Sequence, residues 1–331
     1  MPELQTVWGW LTAIDLFCGG LVAGTFVTIA IIQLVKGNRF QSTVKFGSWV
    51  SAAAVIIGVL CLLADVGKPL RAMALWQSFT NFDSWMAIGA WLMFSAIVIY
   101  LIHALLKTDR VMAWVNGWWS GLARNRDVVA KVLAVIGIPL SLAVATYTGM
   151  LLSTPRFIPF WHNNLLPVLF VVSALTSGVF ILGAYAILRE KDEGTMRLIT
   201  GLKIASVVLV AVVAYVLWYY MDIMRDATAT SVSVDILTTG ELSVSFWTTV
   251  VALGLGVPLL AVLVSFIPGL NRAGMRPSAV VPVAGVVLGL VGAFMLRYLF
   301  LSVGIHAPLT SPGMLQAIEG ATFFLPLPFI P

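Results

Sequence analysis

Eight stretches of the chain are nearly unbroken runs of Val, Leu, Ile, Ala, Phe and Gly, each followed by a polar segment. They fall at about 10–35, 47–65, 85–106, 129–152, 164–188, 199–221, 242–267 and 279–302. Each is long enough to cross about 30 Å of hydrocarbon as a helix. Nowhere do apolar and polar positions alternate with the period of two that a membrane strand shows. The pattern predicts an all-α polytopic membrane protein, one integral membrane domain over 1–331. Helices 1–4 occupy about 10–152 and helices 5–8 about 164–302, with a proline-rich tail over 303–331. Small residues one helical turn apart, Gly20 and Gly24 in helix 1 and Ala174 and Gly178 in helix 5, let helices approach closely. They open the two halves of the chain, which is consistent with two four-helix bundles.

Three connections are longer than the rest. Residues 66–84 form one. Residues 107–128 carry Trp114, Trp118 and Trp119, which suit an amphipathic segment at the membrane interface. Residues 222–241 read as a polar loop rich in Thr, Ser and Asp.

Composition supports the membrane reading. Of 331 residues, 60% are hydrophobic and 10% charged, against about 25% charged in soluble domains. The net charge of +5 does not point to nucleic acid, because loop charges account for it. The segments 36–46, 107–131, 189–203 and 271–277 hold 14 of the 19 Lys and Arg residues. The positive-inside rule makes those segments cytoplasmic and turns both termini outward. No basic segment precedes the first apolar run, so that run is not a cleaved signal peptide.

Cys18 and Cys61 both lie in predicted spans and read as small packing residues. A protein-held iron–sulfur cluster usually needs four thiolates. The three histidines, His103, His162 and His306, do not stand at facing depths as a bis-histidine haem requires. We therefore expect no haem, no iron–sulfur cluster and no metal site in this chain.

The chemistry collects at the outer ends of the helices. Asp15 is a carboxylate inside helix 1, and an ionisable group in hydrocarbon is a functional-site hypothesis by default. It lies roughly 8–10 Å below the outer interface, and Tyr147, on helix 4, roughly 9–12 Å below it. Thr12 and Gly19 share the Asp15 face at i−3 and i+4. Asp65 ends helix 2, and Lys68, Arg71, Asp83, Arg156, His162 and Arg297 complete an outer charge cluster suited to partner docking.

Polar groups at one depth under a lipid-facing shell suit a small amphipathic ligand that arrives from the bilayer. A quinone is such a ligand, because its reduction needs hydrogen-bond donors and a proton route. Asp15, Tyr147 and Asp65 would handle protons, and Thr12, Asp15, Gly19 and Tyr147 would bind the ring. Other readings stand beside this one. Asp15 would alternatively serve as an ion-pair partner of Arg297 or Arg71, Tyr147 as an interfacial aromatic, and His162 as a loop hydrogen-bonder. A secondary transporter of a small solute is the alternative function, although its site would lie nearer the midplane. A structural anchor without ligand is a third.

The stretch from Tyr147-Thr-Gly-Met through Pro159-Phe-Trp-His-Asn-Asn to Gly178 resembles the core signature of the NrfD/PsrC family, membrane subunits of polysulfide-reductase-like complexes. Trp10 with Gly19-Gly20-Leu-Val-Ala-Gly24 resembles that family's helix 1. Asp65-Val-Gly-Lys-Pro-Leu-Arg71 and Ser84-Trp-Met-Ala-Ile-Gly-Ala90-Trp resemble its turn from helix 2 to helix 3. The resemblance covers residues 8–180 by motif and the rest by hydropathy.

It implies eight helices in two bundles and an outer quinol site (menaquinone or ubiquinone) in a bacterial or archaeal cytoplasmic membrane. It also implies a ferredoxin-like iron–sulfur partner, a molybdenum or tungsten bis-pterin catalytic subunit, and contact with membrane lipids. The family's quinone contacts match Tyr147, Thr12 and Asp15 here. Family members can carry His and Asn at the two helix-1 positions, so Asp15 is a departure.

Overall fold

The computed structural model describes residues 8–37, 39–65, 82, 84–190, 194–264, 266 and 280–305. The described residues are helical and contain no strand. Eleven helices are described: α1 (Trp10–Lys36), α2 (Gln41–Asp65), α3 (Trp85–Leu106), α4 (Asp109–Asn116), α5 (Ser120–Arg124), α6 (Arg126–Ser153), α7 (Leu165–Arg189), α8 (Thr195–Asp226), α9 (Thr228–Thr238), α10 (Ser243–Val264) and α11 (Val280–Ser302). Eight of them are long and apolar enough to cross a membrane. They coincide with the eight apolar runs, and α2, α6 and α8 extend several residues beyond the expected ends.

Two connections differ from expectation. The segment 107–128 folds into the short helices α4 and α5, with Trp114, Trp118 and Trp119 exposed. The segment 222–241, expected to be a loop, is mostly helix, because α8 runs on to Asp226 and α9 follows. Its Thr and Ser hydroxyls return hydrogen bonds to the preceding turn, as Thr238 Oγ1 does to Val234 O at 2.9 Å. A polar helix then needs no apolar run. Most of the proline-rich tail lies outside the described residues.

The long helices close two rings. In the first, α1 packs on α2, α2 on α3, α3 on α6 and α6 on α1; in the second, α7, α8, α10 and α11 follow one another likewise. Contacts of α1 with α7 and α11, and of α6 with α7, join the rings. The seam is built from the small residues noted above. A Cβ added at Gly24 would overlap the Ala174 carbonyl, and one at Gly178 would overlap the backbone of Gly24. Lipid-embedded helices gain little from apolar burial against one another, so this backbone-to-backbone approach supplies the dispersion contacts. α1 is the most enclosed of the eight helices, being a wall of the first ring that also packs on α7 and α11 of the second.

One end of the protein carries the start of α1 and the ends of α6, α8 and α11. Trp8 stacks on Trp161 with centroids 5.2 Å apart, and Trp161 Nε1 donates to Phe300 O at 2.7 Å. The Tyr220 hydroxyl donates to Phe160 O, and Ser233 Oγ to Val303 O at 3.1 Å. We refer to this end as the Trp161 face. The other end holds most of the basic residues, including the Arg126–Asp109 pair at 2.8 Å, and is the basic face.

Candidate functional site

The site is built on the first ring, toward the Trp161 face. Helical periodicity aligns Thr12, Asp15 and Gly19 on one side of α1. All three are buried, with Asp15 only 3% exposed. α2 runs antiparallel, so its last residue comes beside the start of α1. Thr12 Oγ1 donates to Asp65 Oδ2 at 2.8 Å, and Asp65 is exposed. The buried helix-1 face is therefore tied to a carboxylate that touches water.

Asp15 is less well served. Its Oδ1 is buried and accepts no hydrogen bond. Leaving such an atom unpartnered costs about 1–3 kcal/mol. The wall opposite is small: a Cβ at Gly58 of α2 would sit 3.1 Å from Asp15 Oδ1 and 3.2 Å from Cys18 Cβ. Both cysteines are free, Cys18 buried and Cys61 partly so, and they stand within electrostatic reach of each other.

Tyr147 enters from α6 and is 5% exposed. Its ring lies against Gly89 of α3, where any Cβ would overlap the phenol ring. Gly89 thus decides how deep Tyr147 sits, and Asp15 lies within electrostatic reach of that phenol. Thr148, the next residue, touches Gly19, where a Cβ would be 3.0 Å from its methyl. Asp15, Thr12, Gly19, Asp65 and Tyr147 are therefore brought together from three helices.

Other expected site residues fall elsewhere. Arg156 and His162 lie exposed on the connection after α6, and His162 Nδ1 donates to Ser153 O at 2.8 Å. Lys68, Arg71 and Asp83 lie outside the described residues.

Arg297 requires correction. It was expected in the outer charge cluster, but it is 1% exposed at the seam of α1, α7 and α11. Its guanidinium donates to Leu16 O at 3.1 Å, Ser173 Oγ at 3.1 Å and Ala293 O at 2.8 Å, and lies 5.0 Å from the Phe170 ring centroid. It therefore offers no docking surface, and no ion pair with Asp15 forms. Loop-charge counting does not give the side of α11 on which Arg297 points.

Gly58 and Gly89 shape the site, and neither was assigned a role from sequence. Glycine is common in membrane helices, so nothing marks these two without the partner side chains. Among the described residues, no three His, Cys, Asp or Glu side chains converge as a metal site requires. An open groove of about 870 Å³, lined by Trp218, Arg225, Phe246 and Trp247, belongs to the second ring. Asp15, Tyr147 and Asp65 are not among its lining residues.

Comparisons with known proteins agree on one kind of relative. The sequence profile described as "Polysulphide reductase, NrfD" matches residues 2–308. The C subunit of polysulfide reductase from Wolinella succinogenes is 28% identical over 309 residues, covering 90% of this chain and 94% of that protein. Protein NrfD of Escherichia coli is 29% identical over 312 residues, covering 90% and 95%. An integral membrane subunit of an Hdr-like menaquinol oxidoreductase from Archaeoglobus fulgidus is 25% identical over 267 residues, covering 77% and 62%.

Proposed function

The chain belongs to the NrfD polysulphide reductase family, and from that premise we propose that it is the quinone-binding membrane subunit of a respiratory oxidoreductase. Its role as a membrane subunit of an oxidoreductase complex follows from its relatives. The quinone site is our reading, and the buried, unpartnered Asp15 Oδ1 beside Tyr147 carries it. The name of the Archaeoglobus relative, a menaquinol oxidoreductase subunit, points the same way.

Quinone supplies the two-electron, two-proton redox chemistry when bound. The chain's own residues do the rest. Asp15 offers a carboxyl oxygen that no protein group occupies. Tyr147 offers a phenol proton to a ligand oxygen, at a depth that Gly89 sets. Thr12 and Asp65 connect these groups to water at the Trp161 face.

The charge asymmetry of the loops orients that face outward. An iron–sulfur subunit docks there, exchanges electrons with the quinone site, and joins this chain to a molybdenum or tungsten bis-pterin subunit. Arg156 and His162 are exposed at that face and form part of the docking surface.

Binding of a fluorescent quinol analogue to the assembled complex tests the site. We expect Tyr147→Phe to lower its affinity about tenfold, the loss of one hydrogen bond to the ligand. Unchanged affinity in Tyr147→Phe and in Asp15→Asn, with assembly intact, would place the site elsewhere.

A further inference from the structure

His103 of α3 is fully buried, at the other end of the first ring. Both of its ring nitrogens have partners from neighbouring helices. Nε2 stands 2.8 Å from Gln33 Oε1 of α1, and Nδ1 stands 2.9 Å from Ser48 Oγ of α2. With the Gln33 amide oxygen toward the ring, Nε2 donates its proton to it. Ser48 Oγ is also 2.7 Å from Val44 O, so its single hydroxyl proton has two possible acceptors. Pointed at Nδ1, it leaves the imidazole neutral. Pointed at Val44 O, it turns its lone pairs to Nδ1–H, and the ring is an imidazolium.

Rotation of one hydroxyl therefore carries the site between two states in which both ring nitrogens are hydrogen-bonded. A purely structural histidine needs satisfaction in one state only. Burial and the nearby Lys107 ammonium oppose the cation, and the two hydrogen-bond acceptors favour it.

We propose that His103, held by Ser48 and Gln33, is a proton-binding site that exchanges protons with the basic face and is separate from the Asp15 site. Uptake takes one proton from water and needs no redox partner. Lys107, one turn further on at the C-cap of α3, pairs with Asp127 at 3.5 Å, and the Asp127 side chain is 41% exposed. Burial lowers the Lys107 pKa and Asp127 raises it in part, so this pair is itself poised at the boundary with water.

Lys107 is the charged group that reaches His103. α1 faces the ring with Gln33 and Phe26, and α2 with Ser48, none of them titratable. Tyr100, one turn back on α3, is hydrogen-bonded to Ser141 of α6. α6 brings Asp127, Arg126 and Lys131 to Lys107, and Arg126 also holds Asp109 of α4.

The direction of exchange follows from the next polar groups. Gln33 Nε2, Ser51 Oγ and Thr25 Oγ1 are buried without partners, positions that favour internal water. From Thr25 to Asp15 is about 15 Å of helix. Every α1 residue between them is apolar, glycine or Cys18. The path to the basic face is the shorter and more polar one.

Solid-state nitrogen NMR on the full chain in bilayers, with labelled histidine, reads ring protonation directly. His162→Gln and His306→Gln remove the other two signals. We expect a reversible change on acidification from a neutral Nε2–H ring to an imidazolium. Ser48→Ala should lower the midpoint by about one pH unit, because the cation loses a stronger bond than the neutral ring does. Gln33→Leu should move it the same way. A ring that stays neutral wherever the chain is folded would overturn the proposal. So would a ring that is always cationic, or a midpoint that ignores Ser48→Ala. No quinone enters the measurement, so its outcome is independent of the proposed quinone site.

Discussion

Asp15→Asn in the assembled complex is expected to lower quinol-coupled turnover by about 10²- to 10⁴-fold, the range for loss of a positioned proton-transfer group. Asparagine keeps the size and hydrogen-bonding reach of the side chain. It also fits the space left by Gly58, so assembly should be normal. It cannot take up or release a proton. The loss should therefore appear in kcat, with KM for quinol changed by less than about tenfold. Electron transfer from an artificial donor directly to the partner subunits should be preserved. A variant with full quinol turnover would remove Asp15 from the proton chemistry and leave it a structural polar residue. Glutamate at the same position separates shape from chemistry, since it restores the proton and lengthens the arm.

The second large effect concerns the seam. Gly24→Val should abolish recovery of a monodisperse protein in mild detergent. The added Cβ would overlap the Ala174 carbonyl, backbone against backbone, which no rotamer change relieves. Overpacking relieved by side-chain shifts costs about 1–3 kcal/mol, and separating two helices costs more. Gly183→Ala is the matched control, because a Cβ there meets nothing within 4 Å. It should leave the elution profile and thermal inactivation unchanged. Equal behaviour of the two variants would mean that the α1–α7 contact does not hold the rings together.

Much of this architecture is legible in the sequence, for a physical reason. A helix in hydrocarbon must satisfy its backbone internally and show apolar side chains outward, so spans read as long apolar runs. The small-residue pairs of helices 1 and 5 could be read as close-approach positions, and they meet each other across the seam. The relative level of residues on neighbouring helices could be read as well, because it follows from rise per residue. Asp15 and Tyr147 are at one level in the sequence and within electrostatic reach in the structure.

Azimuth could not be read. Arg297 was given the wrong surroundings, because a positive charge near a helix end gives no sign of which neighbour it faces. The helical character of 222–241 was missed because a polar helix at the interface lacks the apolar signal that marks a span. Gly58 and Gly89 act through the atoms they lack, and the absence of a side chain has meaning only once the neighbour is known.

The clasp at the Trp161 face has a consequence in time. The Trp161 indole finds its acceptor on Phe300, 139 residues later in the chain. At ribosomal rates of about 5–20 residues per second, that interval is on the order of ten seconds. Trp8, stacked on the same indole, is made first of the three. The surface that joins α1 to α11 is thus completed only when α11 has been synthesised and inserted. Contacts that depend on this surface therefore form only after α11 is in place.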